Sequence, residues 1–204
     1  MISFSMNTHN IQDNHKSLKI NSVKILYHGT NMQFDTIDLS RCNRFKDFGQ
    51  GYYLTTDLKQ AQRWAQNKAG NAQEAYIYSY NLITPVNQDL KILELLEYDA
   101  DWVEFITQSR FRGKETNYDI IYDRIADNRG EHISRVLEKY MLHTVDAAYV
   151  IEHIKWKQGV GDQYCFKTPS ALSLLCNERC YVTYKDNNGR WRKPVKLEGD
   201  ERVQ

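Results

Sequence analysis

Apolar and polar positions alternate in short runs and then switch to helical spacing, and these two periods divide the chain into its elements. Residues 23–28 read as a strand ended by Gly29, and a second strand carries Tyr52 and Tyr53, whose side chains must point to opposite faces of its sheet. Asp57 then caps a helix with Gln60 at the reciprocal capping position; Ala61, Trp64 and Ala65 form its buried stripe and Gly70 ends it. Residues 74–82 predict a strand with Tyr76, Tyr78 and Tyr80 on one face. Helical spacing follows over 92–108, through Leu95, Leu96, Trp102, Phe105 and Ile106. Residues 118–122 read as strand, 131–140 and 145–156 as helices, and 163–166 as strand. Thr168 caps a short helix with Pro169 at its first position, and 179–185 form a last strand. No βαβ rhythm, internal repeat or low-complexity linker interrupts this mixture, which predicts a single α+β domain over 21–204, mixed sheets flanked by helices, behind a polar, flexible leader over 1–20.

Composition sharpens the picture in two ways. With 204 residues, 41% of them hydrophobic, the chain can bury a self-sufficient core, and 12% aromatic content excludes a disordered protein. Four cysteines without a disulfide pattern fit a reducing cytosol, and the Cys176–Cys180 pair, with three residues between its members and no histidine cluster beside it, has poor zinc spacing, so no metal centre is expected. The leader lacks the apolar run of a secretory signal, and the longest apolar run is Ala147-Ala148-Tyr149-Val150-Ile151, which predicts a cytoplasmic protein without a membrane anchor.

The chemistry concentrates in two motifs. In Leu26-Tyr27-His28-Gly29-Thr30 an imidazole is followed by a glycine whose bare main chain a ligand can approach. About two dozen residues later, Gly49-Gln50-Gly51-Tyr52-Tyr53-Leu54 places two glycines before a strand with tyrosines on both faces. One tyrosine belongs to the core; the other is free to stack on a flat cationic ring. Between the motifs, Arg41, Arg44 and Lys46 form a basic loop suited to a diphosphate, although surface cations of this kind are more often simply solvated. Asp123 and Asp127 flank Arg124, and capping of the following helix is the preferred role for them over acceptor binding. His9, His15, His132, His143 and His153 have no spaced partner and receive no role.

These motifs, with Lys46-Asp47-Phe48 before the second, Tyr118-Asp119-Ile120-Ile121, and Asp162-Gln163-Tyr164-Cys165-Phe166-Lys167-Thr168, resemble the His-Tyr-Glu branch of the ADP-ribosyltransferase superfamily over residues 25–175. Within that clan the chain is most similar to a small bacterial family catalogued as a domain of unknown function, DUF3990. The resemblance implies an ADP-ribosyltransferase-type fold with NAD+ as co-substrate. His28 would bond the ribose next to nicotinamide, Gly29 and Thr30 would hold the carboxamide end, and Tyr53 would stack on the ring, with Gly51 and Tyr52 beside it. The branch's glutamate is matched by Gln163. A neutral hydrogen bond contributes ~0.5–1.5 kcal/mol against ~1.5–3 for a charged one, so the amide is expected to slow bond breaking about tenfold and to restrict the enzyme to single transfers. Asp162 is the adjacent carboxylate, but strand alternation turns it away from Gln163.

The resulting expectation is a mono-ADP-ribosyltransferase acting on a macromolecule, protein or nucleic acid. Small bacterial enzymes that look like this are frequently toxins of toxin–antitoxin or phage-defence loci, which implies an antitoxin partner. Two alternatives stand beside it, a non-catalytic NAD or nucleotide-binding module and an NAD glycohydrolase. The carboxyl end hints at an acceptor: over 179–196 six cations face Asp186 alone and are interleaved with Tyr181, Tyr184 and Trp191. That mixture suits single-stranded nucleic acid and equally an edge hairpin turning at Asn187-Asn188-Gly189, while an overall charge of +1 argues against a dedicated nucleic-acid binder.

Overall fold

The computed structural model describes residues 19–84, 89–124, 132–154 and 161–197. Among these residues, eight strands form two four-stranded sheets, which pack face to face with helices on both outer sides. The first sheet takes β1 (Ile25–Thr30), β3 (Glu74–Leu82), β7 (Leu175–Tyr184) and β8 (Val195–Lys196) in that order, all antiparallel. The second runs β2 (Tyr52–Leu54), β6 (Asp162–Phe166), β5 (Ile120–Arg124) and β4 (Ile92–Leu95), with β4 and β5 parallel. The α+β class read from the sequence is the observed one.

Alternation along the strands builds the layers. Leu26, Tyr78 and Tyr80 of the first sheet meet Tyr52, Leu54, Tyr122, Tyr164 and Phe166 of the second in a shared, aromatic-rich core. The outer face of the first sheet, Ala75 and Ile77, is covered by Ala61, Ala65 and Ala69 of α1 (Leu58–Ala69). The outer face of the second, Ile121 and Cys165, is covered by α2 (Ala100–Arg112), α3 (Ile133–Met141) and α4 (Ala147–Ile154). A short α5 (Pro169–Leu172) follows β6, capped by Thr168 with Pro169 first, as the sequence predicts.

Four readings are corrected. Residues 92–95 form β4, not the start of a helix; Asp99 takes the N-cap by accepting from the Trp102 amide, so α2 begins at Ala100. The β4–α2–β5 segment is therefore the βαβ unit that short apolar runs concealed. Gln60 does not close a capping box: it is buried and its Nε2 donates to the Asp162 carbonyl at 2.9 Å, while the Asp57 amide donates to Thr55 Oγ1. Asp123 caps nothing; it is fully buried under Trp102, and His132 is the N-cap of α3. Ile20 sits in the core, in a 3-10 turn at Lys19–Ser22. The leader over 1–18, Asp127, and the predicted helix ends at 131 and 155–156 lie outside the described residues. Among the described residues, no helix is long and apolar enough to cross a membrane.

At the carboxyl end, Gly189 (φ 72°) closes a turn onto Asp186, whose carboxylate accepts the amides of Asn188 and Arg190 and pairs with Arg192. The Lys185 ammonium lies over the Trp191 ring and donates to the Gly70 carbonyl. Two cations of the basic stretch, Lys185 and Arg192, are thus engaged within the protein itself.

Candidate active site

A backbone bridge joins the two sheets where Tyr27 and Thr55 exchange hydrogen bonds of 2.8 and 2.9 Å. Beyond it β1 and β2 separate, and a cleft of about 1020 Å³ opens between them. Its size lies at the upper end of the ~300–1,000 Å³ typical of ligand pockets, which suits a ligand as large as a dinucleotide. Because alternate residues present their main chain to the same side, Gly29 faces the gap as Tyr27 faces Thr55.

His28 spans the gap. Its Nδ1 lies 2.6 Å from the Tyr53 carbonyl, and its ring stacks on Tyr52 with centroids 4.2 Å apart. A carbonyl only accepts, so Nδ1 carries the hydrogen and Nε2 is left as an acceptor. Burial, and then the Lys68 charge, push the imidazole down to about 3. Part of the residue still faces the cleft, yet both influences oppose a proton, and His28 is neutral at physiological pH.

The two tyrosines divide as alternation requires. Tyr52 is buried in the shared core, with its hydroxyl 3.0 Å from that of Tyr80. Tyr53 is half-buried toward α2 and lines the cleft, but its hydroxyl is committed: it donates to the Gly49 carbonyl and accepts the Phe48 amide, both at 2.9 Å. Its ring also runs nearly parallel to Phe48, so Tyr53 anchors the loop before β2 as well as lining the site.

Gly29 and Gly51 need their missing side chains for a reason other than ligand approach. A Cβ on Gly29 would lie 2.0 Å from the Ala61 carbonyl oxygen, and one on Gly51 would lie 2.3 Å from Cys165 Sγ. The first glycine seats α1 on β1; the second seats the loop on β6. The Gly29 carbonyl is itself engaged, by Lys68 Nζ at 2.8 Å. Although the Lys68 stem is exposed, its tip is desolvated, and this burial, with Lys46 nearby, lowers the ammonium to about 8.

Of the basic loop, Arg41 and Lys46 line the cleft, as does Thr30, whose Oγ1 accepts the Met32 amide. Arg44 does not. Its guanidinium lies over Phe45 and against Gly113 at the end of α2. Its place is taken by residues to which the sequence assigns only a structural part or none: Gln60, Arg63, Trp64, Asn67 and Lys68 recur at three- and four-residue steps and form a second stripe of α1 along the cleft. Trp64 is therefore half-exposed in the site, not part of the alanine stripe. The regular spacing of these polar residues was the available signal.

On the opposite wall Gln163 is buried, and its Nε2 donates to Asp47 Oδ2 at 3.0 Å. Asp47 Oδ1 is held by Arg110 Nε of α2, and all three residues line the cleft. Behind Gln163, its cross-strand partner Asp123 accepts from Trp102 Nε1 at 2.8 Å, and among the described residues its other oxygen is buried without a side-chain hydrogen-bond partner. Burial raises this carboxyl to about 8. Asp162 points elsewhere, bonding Thr55 Oγ1 and the amide and hydroxyl of Thr56.

The arrangement thus offers a neutral imidazole acceptor, aromatic walls, four cations besides Arg110 (Arg41, Lys46, Lys68 and Arg63, the last 3.8 Å from Asp57), and a buried amide–carboxylate couple. Among known families, the one described as "Protein of unknown function (DUF3990)" matches residues 24–176, which contain every residue of the cleft. No curated protein and no solved structure matches the chain.

Proposed function

This chain belongs to the DUF3990 family, and from that premise and its cleft we propose that it binds NAD+, expels nicotinamide and transfers one ADP-ribose to a macromolecular acceptor. The observation that carries this reading is the meeting of His28 and Gln163, from two different sheets, in one cleft with Tyr53 between them. His28 Nε2, as an acceptor, suits a ribose hydroxyl, and Trp64 and Tyr53 supply aromatic surface for a pyridinium. Arg41, Lys46 and Arg63 supply charge for a diphosphate, which Arg binds bidentately. The leaving group departs as a neutral molecule, so positioning can provide much of the acceleration.

Incubation of the purified protein with NAD+ carrying a labelled adenylate, in a cell lysate, tests this. Nicotinamide release with label appearing in a macromolecule is the expected result; absence of release overturns the reading. Protease and nuclease treatment of the product then assigns the acceptor class.

Two observations favour a second reading, a binding module without catalysis. Lys68 occupies the Gly29 carbonyl that a carboxamide would use, and the position of the branch's glutamate is an amide. Binding of NAD+ without release of nicotinamide would select it. Release without a labelled macromolecule would select hydrolysis.

A further inference from the structure

Resting on that reading, we propose that Asp47 is a positioning residue for cleavage of the nicotinamide–ribose bond: it holds the Gln163 amide with Oε1 toward the cleft and gives the pair the negative charge that a glutamate at 163 would carry. Strand alternation excludes Asp162 from this part, and it is spent on Thr55 and Thr56. Asp47 reaches Gln163 from a different segment, 116 residues away in sequence.

The amide's orientation follows from chemistry. A carboxylate has no hydrogen to donate, so the group facing Asp47 Oδ2 must be the NH2, and Oε1 is left to accept. No donor among the described residues takes Oε1, and Gln163 lines the cleft. An acceptor oxygen there, polarised by an anion 3.0 Å from the amide nitrogen, presents to a ribose hydroxyl what a carboxylate oxygen would. Arg110 keeps Asp47 in place from α2, and its Nη1 lies 3.4 Å from Ser134 Oγ of α3.

In the step served, the C1′–N bond breaks with its electron pair going to the nicotinamide nitrogen. The acceptor's lone pair then forms the new bond to C1′, and the acceptor's proton passes to water. Positive charge grows on the ribose between these events, and Asp47, shared between Arg110 on Oδ1 and the amide on Oδ2, would act on it by polarising the Gln163 Oε1 that faces the cleft.

A purely structural Asp47 would anchor the loop through Arg110 alone and have no need of the amide. Replacement separates the two roles. Asp47→Asn is expected to lower kcat for nicotinamide release about tenfold or more while KM for NAD+ stays within about threefold. The swap Asp47→Asn with Gln163→Glu moves the carboxylate onto the strand and is expected to restore kcat to within about threefold of the parent, which a lost anchor would not allow. Gln163→Glu alone sets two carboxylates side by side and brings no gain, against the rise that the branch's glutamate would suggest from sequence.

An Asp47→Asn protein that keeps full kcat, or a swap that restores nothing, overturns the proposal and leaves the enzymatic reading standing. A parent protein that releases no nicotinamide overturns both. Should Asp47→Asn fail to fold, Gln163→Leu, which preserves the Asp47–Arg110 pair, carries the test: undiminished kcat in that variant overturns the proposal.

Discussion

The two walls of the cleft solve the same problem with opposite chemistry. On the wall built by the first sheet, burial holds a base neutral by keeping a proton off, in His28. Behind the wall built by the second, burial holds an acid neutral by keeping a proton on, in Asp123. The first wall is also crowded by main chain, the α1 backbone on Gly29, whereas the second is crowded by a side chain, Cys165 on Gly51. Desolvation thus sets the charge of a site without regard to which sheet supplies it, but the tolerance of each wall to change depends on whether backbone or side chain fills it.

The largest expected effect separates the walls by their glycines. Gly29→Ala drives a methyl into the Ala61 carbonyl, which cannot step aside, and is expected to cost ~3 kcal/mol or more, about 6–12 °C in Tm. Gly51→Ala meets a thiol, and the paired change Cys165→Ala should return part of the loss, although the Phe166 carbonyl at 3.0 Å limits the recovery. Thermal unfolding of the three variants checks this. Equal rescue by trimming Ala65 would show that α1 yields as a side chain does.

The opposed titrations come next. The unfolded chain protonates histidine near 6.5 while folded His28 resists to about 3, so the folded state loses stability as pH falls between these values. Asp123 runs the other way. Its unfolded form ionises near 3.8 and its folded form near 8, so its contribution is complete below 3.8 and declines as pH rises to about 8. Each slope is at most about 1.4 kcal/mol per pH unit. Asp123→Asn, which can still accept from Trp102, should therefore raise stability by an amount that grows from pH 4 to 8; His28→Gln should flatten the acid side alone. Denaturant midpoints across pH test both, and parallel curves for Asp123→Asn and the parent would contradict the neutral-acid account.

The smallest effect concerns the Gly29 carbonyl. Lys68→Met removes its competing donor and a cation from the place a pyridinium would occupy, and NAD+ affinity measured by calorimetry is expected to rise severalfold, on the order of 1 kcal/mol. Weaker binding would assign Lys68 to the diphosphate with Arg41 and Lys46.

Much of this molecule is written in local spacing. The β3 bounds at 74–82, the capping of α1 by Asp57, the Thr168–Pro169 start of α5, the turn closed by Gly189 and the burial of Tyr52 opposite the half-exposed Tyr53 all follow from periods and caps acting within a few residues. The His28 and Gly51 motifs could be singled out for the same reason. What local spacing does not carry is which segments meet. Residues 92–95 read as the start of a helix because the strand identity of β4 comes from parallel pairing with β5, and Trp64 joins the alanines until α1 is laid on β1. The role of Gly29 lay in a helix 32 residues away, and the partner of Gln163 in a loop on the far side of the chain. The sequence by itself determined the elements, their capping and the residue types gathered for chemistry, because those depend on near neighbours. Only the tertiary structure decided which carbonyl Lys68 occupies, which carboxylate faces Gln163 and which ionisable groups are stripped of water, because burial and long-range contact exist only once the two sheets have closed on each other.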